Sequence, residues 1–286
     1  MQNFPRLKPV SFAGLLLALM GSLPVPSAIA LDDALADPTH LDIFIDTLPP
    51  AQSGARLRVD PQNNFPVDVL SGRTVVPTNL SDLSGGPYLT DDPGWFMEPG
   101  FLVGGEDLRF RALGALRYWN PTTRSWQDTV PDGETVRIFG GVPADIVPDL
   151  FADPELFDFW LDGTVWTTAG IEGPVEALVA KTQAGGDGNV HSHLDFCIQN
   201  ASGDCPARIG GNPAKGAYRI ELELFSGAQA GEGSKYIDSG PVLIVLGNRL
   251  TPDELQQAVD SLTQAPQSGQ TVPKIPAAGI LIMGGP

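Results

Sequence analysis

The stretch GGDGNVHSHLDFCIQN places His191 and His193 one residue apart, in a chain of 286 residues that holds three histidines. The third, His40, lies in DPTHLDIFID. Imidazole is the side chain that changes charge between mildly acidic and neutral pH, and it is the commonest metal ligand. On a strand, residues i and i+2 share a face about 6.5–7 Å apart, so His191 and His193 point the same way. If the histidine-bearing strands are neighbours in one sheet, which the sequence leaves open, two imidazoles from one strand and one from the other offer a trigonal or tetrahedral nitrogen site, with His40, His191 and His193 as the ligands. Imidazole suits Zn, Cu, Fe and Ni, so ligand type alone does not name the metal. Carboxylates nearby can fill a fourth position or hold the far ring nitrogens. Glu221, Glu223, Asp42 and Asp195 are the candidates for that supporting role.

Strands must position these groups. In HLDIFIDTL, Leu41, Ile43 and Ile45 alternate with His40, Asp42, Phe44 and Asp46, which predicts a half-buried strand with the polar set on one side. GARLRVD predicts a second short strand, with Leu57 and Val59 on its apolar face. LRFRALGALRYWN and TVRIFGG read as further strands. VEALVAKT, the turn AGGDGN and VHSHLDFCI read as a hairpin. On its returning strand Asp195 and Cys197 continue the histidine row, opposite Ser192, Leu194, Phe196 and Ile198. AYRIELELF is expected to pair with it, carrying Glu221 and Glu223 opposite Tyr218, Ile220, Leu222 and Leu224, and GPVLIVLG adds a buried strand. SGGPYLTDDPGWFMEPGF is too rich in turn formers to predict regular structure. A short helical turn is expected near PELFDFW, where Pro148 and Pro154 fragment the surroundings. One helix is strongly signalled: in TPDELQQAVDSL, Thr251 caps, Pro252 opens and Glu254 completes a capping box, with Leu255, Val259 and Leu262 as the apolar stripe. The fold class is all-β, a single β-sandwich with long turn-rich loops and one C-terminal helix.

Composition limits the function. A net charge of −17 excludes nucleic acid, whose binding needs basic patches. GGDGN is followed by neither a helix nor a Lys-Ser/Thr pair, so it is a turn and not a phosphate cradle. No G-x-S-x-G or H-E-x-x-H occurs. Asp91 and Asp92 sit in a Pro/Gly turn, where calcium or plain solvation explains them equally well. The five tryptophans are scattered, and most are expected as core or sandwich-edge packing rather than a sugar platform.

Residues 1–30 read as a cleaved signal peptide: Arg6 and Lys8, an apolar FAGLLLALMG, then small residues before a cut after Ala30. Export to the periplasm, cell surface or medium makes a Cys197–Cys205 disulfide the expectation, with a thiolate metal ligand as the alternative. The metal-binding β-sandwich is assigned to 31–262. Residues 263–286 form a linker and a short apolar tail, IPAAGILIMGGP, which spans only about half a bilayer. No stable transmembrane segment is expected in the mature chain.

The segments WFMEPGF, LRFRALGALRYWN, DGNVHSHLDFCI, GAYRIELELFSG, SGPVLIVLGN and TPDELQQAVDSL, in that order, resemble a group of secreted bacterial β-sandwich proteins of the PEP-CTERM type. The tail TVPKIP resembles the start of that sorting signal, with an extra residue in the Val-Pro motif and without its terminal arginines. More remotely the chain is similar to the copper-binding surface proteins of methanotrophs, MopE and CorA. Those hold copper with two histidines and an oxidised tryptophan in a Trp-x-His pattern. Pro38 stands at the tryptophan position here, so the resemblance implies a three-histidine site instead. It also implies copper first and zinc next, because related proteins are associated with zinc. The expectation is an exported protein that captures or buffers the ion, not an enzyme. Two alternatives are a structural component of the envelope or matrix and a zinc-dependent hydrolytic enzyme.

Overall fold

The computed structural model describes residues 41–80, 88–140, 154–182, 185–200, 212–227 and 236–263. All of them belong to one compact unit, His40–Pro286. The expected signal peptide, His40, Cys205 and the C-terminal tail lie outside the described residues.

The chain is all-β, as expected, and among the described residues the strands are distributed over three sheets. In order they are β1 (Asp42–Leu48), β2 (Arg56–Val59), β3 (Thr74–Asn79), β4 (Leu89–Thr90), β5 (Gly94–Met97), β6 (Asp107–Asn120), β7 (Ser125–Gln127) and β8 (Thr135–Phe139). Helix α1 (Pro154–Leu161) follows, then β9 (Thr164–Thr167), β10 (Gly170–Glu172), β11 (Glu176–Lys181), β12 (Val190–Ser192), β13 (Asp195–Gln199), β14 (Gly216–Gly227), β15 (Pro241–Asn248) and helix α2 (Pro252–Thr263). The first sheet runs β12-β5-β1-β2, the second β10-β9-β8-β13-β4, and the third β11-β6-β14-β15-β3, with β7 paired to the end of β6.

One core joins the three sheets. Ile43, Ile45, Trp95 and Met97 of the first meet Val136, Ile138, Trp166, Phe196 and Ile198 of the second. Phe110, Leu116, Tyr218, Ile220, Leu222 and Ile244 of the third complete it. A second cluster lies between the third sheet and α2, where Val75, Trp119, Ala217, Leu243 and Val245 pack against Leu255, Ala258, Val259 and Leu262. β15 is therefore buried on both faces, which is why it reads as an unbroken apolar run. The expected capping box of α2 is formed: the Glu254 amide donates to Thr251 Oγ1 at 3.2 Å, and the Thr251 amide donates to Glu254 Oε2 at 2.8 Å. Trp95, Trp119 and Trp166 are fully buried, as expected for core residues.

Three expectations of pairing are corrected. VEALVAKT and VHSHLDFCI do not form a hairpin, because β11 pairs with β6 and β12 pairs with β5. The stretch read as one strand is two, since the chain leaves the first sheet after Ser192 and enters the second at Asp195. Leu194, 1% exposed, is driven into the core at this switch. Asp195 and Cys197 therefore do not extend the histidine row. β14 pairs with β15 and β6, not with the histidine strand, because its twelve residues match those long partners edge to edge. The turn-rich stretch after Gly86 holds two short strands, β4 and β5.

Candidate metal centre

The register of the first sheet builds the site. Asp42 of β1 lies opposite Gly94 of β5, and Ser192 of β12 lies opposite Trp95. Continuing that antiparallel register by one residue brings His193 beside Gly94. His193, Gly94 and Asp42 thus form one row across three strands, with the glycine in the middle. The next row on the same face is His191, Phe96 and Phe44. Its rings pack edge to face, Phe96 at 5.1 Å from Phe44 and 5.8 Å from His191.

Strands one apart in a sheet are about 4.8 Å from each other, so Asp42 and His193 start roughly 9.6 Å apart at the backbone. They meet by leaning over Gly94. His193 Nε2 lies 3.6 Å from Asp42 Oδ1, His191 Nε2 lies 3.5 Å from Asp42 Oδ2, and the two Nε2 atoms are 3.2 Å apart. One ligand atom from each of Asp42, His191 and His193 lies within 4.8 Å of the others. A Cβ built on Gly94 would stand 2.2 Å from Asp42 Oδ1 and 2.7 Å from His193 Nε2. Only a residue without a side chain leaves this space clear.

The surroundings orient the ligands. His193 Nδ1 is 3.0 Å from the Asp91 carbonyl oxygen, which can only accept, so Nδ1 is the donor in this contact and Nε2 is the ring nitrogen turned to Asp42 and His191. Asp92, 2% exposed, accepts the Leu41 amide at 3.2 Å and fixes the approach of β1 beside Asp42. Its Oδ1 is 3.9 Å from His193 Nδ1. Asp42 Oδ1 is buried and has no hydrogen-bond partner among the described residues. A buried polar atom left in that state is rare and asks for an explanation, an ion being one. Three electron-rich atoms this close repel one another unless a proton or a cation lies between them.

The site brings together two of the three expected histidines and promotes Asp42 from a supporting group to a member of the ligand set. His40 lies outside the described residues. Asp195 stands on β13, where burial and then the nearby Asp91 raise its carboxyl above the ordinary aspartate range. Glu221 and Glu223 are placed on the third sheet and are bonded there to arginines: Glu221 to Arg73 at 2.6 Å, and Glu223 to Arg111, which also binds Glu176 and Asp238. Cys197 is buried on β13, and no free cysteine occurs among the described residues. Asp91 and Asp92 act here through a carbonyl and a buried carboxylate, not as solvated turn residues. What the sequence reading missed was Gly94, hidden in the turn-forming run DDPG. Comparison with protein-family models, curated proteins and solved structures returned no match. Among the described residues no helix is long and apolar enough to cross a membrane.

Proposed function

We propose that this chain is an exported protein that captures or buffers one divalent copper or zinc ion through Asp42, His191 and His193. The observation that carries the reading is the convergence of the three ligand atoms within 4.8 Å, over a glycine, with a buried carboxylate oxygen that has no hydrogen-bond partner among the described residues. Two imidazoles and a carboxylate suit borderline divalent ions, and the set holds no thiolate or thioether to favour Cu(I). Protons compete with the metal for these ligand atoms, so affinity is coupled to pH. His40, two residues before Asp42, remains a candidate fourth ligand, and export rests on the leader-like first thirty residues.

The test is calorimetric titration of the metal-free chain with Zn(II) and Cu(II), beside Asp42→Asn and the double variant His191→Ala/His193→Ala. The expected result is one equivalent bound by the parent chain and none bound specifically by the double variant. Stoichiometric binding that survives the double variant overturns the reading.

A further inference from the structure

The exposure of the three ligands is lopsided. Asp42 and His193 side chains are each 22% exposed, whereas His191 is 48% exposed. The floor is β5, where Gly94 contributes no side chain, and the wall behind His193 is the Asp91–Asp92 turn. On the remaining side stands the Phe96 edge, which packs against His191 and offers no ligand atom. All three donors therefore reach the ion from the sheet and from one flank, and the side of His191 faces solvent.

Zinc takes four ligands in closed structural sites, whereas sites with three protein ligands hold an exchangeable water in the fourth position. We propose, resting on the metal-binding reading, that the ion in this centre keeps at least one coordination position open on the His191 side and takes water or a small monoanion there. The charge balance favours that class. A divalent ion against the single Asp42 carboxylate leaves one net positive charge in the first sphere, enough for a monoanion and not for a polyanion. Asp92 beside His193, in a chain of net charge −17, opposes further negative charge.

Cobalt(II) substitution tests this, because its visible absorption reports coordination number and ligand exchange. The whole chain is loaded with Co(II), its spectrum is recorded, and sodium azide is added, in parallel with the His40→Ala variant. The expected result is a stoichiometric cobalt spectrum that changes saturably with azide in both proteins. A cobalt spectrum that azide leaves unchanged overturns the open position while leaving metal binding standing. A response seen only in His40→Ala overturns it too, since His40 then fills the position. Failure of the metal-free chain to bind either Co(II) or Zn(II) overturns both readings.

Discussion

Replacing Gly94 by alanine isolates the geometry of the centre without removing a ligand. Gly94 is not among the residues with positive φ, so alanine meets no backbone strain there. Its Cβ would stand 2.2 Å from Asp42 Oδ1, 2.5 Å from His193 Cε1 and 2.7 Å from His193 Nε2. Both side chains must withdraw by about 1 Å to restore ordinary van der Waals contact. Metal–ligand distances tolerate only about 0.2 Å. The withdrawal therefore takes at least one ligand out of reach, with an expected loss of at least ~100-fold in affinity, or about 2.7 kcal/mol. The metal-free fold should lose about 1–3 kcal/mol, as crowding of a packed site costs. Competitive titration against a chromophoric chelator gives the affinity for Zn(II) and Cu(II), and circular dichroism with thermal unfolding shows that the variant is folded. A folded Gly94→Ala chain that binds with the parent's affinity would refute the argument that the ion sits over this glycine.

Four further outcomes are expected. Zn(II) at a hundredfold excess over its dissociation constant should stabilise the parent chain by about 2.7 kcal/mol in thermal unfolding, and leave His191→Ala/His193→Ala unmoved. Metal affinity, followed by titration across pH, should fall as the solution is acidified, because protons compete with the metal for the ligand atoms. Glu254 is held below the ordinary glutamate range by Lys215 and by the Thr251 amide, so its contribution to stability is present above that range and is lost as pH falls through the lowered value. Unfolding measured against pH should show this acid loss flattened in Glu254→Gln. Trp166, fully buried with its indole N–H 3.1 Å from the Leu113 carbonyl and 3.2 Å from that of Glu221, should cost about 3–5 kcal/mol as Trp166→Ala in denaturant unfolding.

Local patterns were legible where one element carries its own signal. The alternation of Ile43 and Ile45 with Asp42 and Phe44 placed Asp42 on the polar face of β1, and Thr251, Glu254 and Leu255 marked the start of α2. The i, i+2 spacing of His191 and His193 implied that both rings share a face, and their Nε2 atoms do meet at 3.2 Å. What the sequence hid is non-local. β5 is four residues long, is preceded by Asp-Asp-Pro, and is paired with β1 across fifty residues of chain and with β12 across almost a hundred. Nothing in its own composition announces that pairing. The same is true of the sheet switch after Ser192, where a continuous strand pattern conceals a change of partners and leaves Asp195 in a different sheet from His191. Glu221 and Glu223 were read as candidates because alternation fixes which face a residue takes, but it does not fix which strand lies alongside.

The measurement that bears most directly on the central claim is metal content by mass spectrometry on the chain purified from an exporting cell, beside a variant carrying Asp42→Asn, His191→Ala and His193→Ala. The account predicts one copper or zinc per parent chain and none in the variant. Metal-free parent protein that also gains no thermal stability from added Cu(II) or Zn(II) would contradict it.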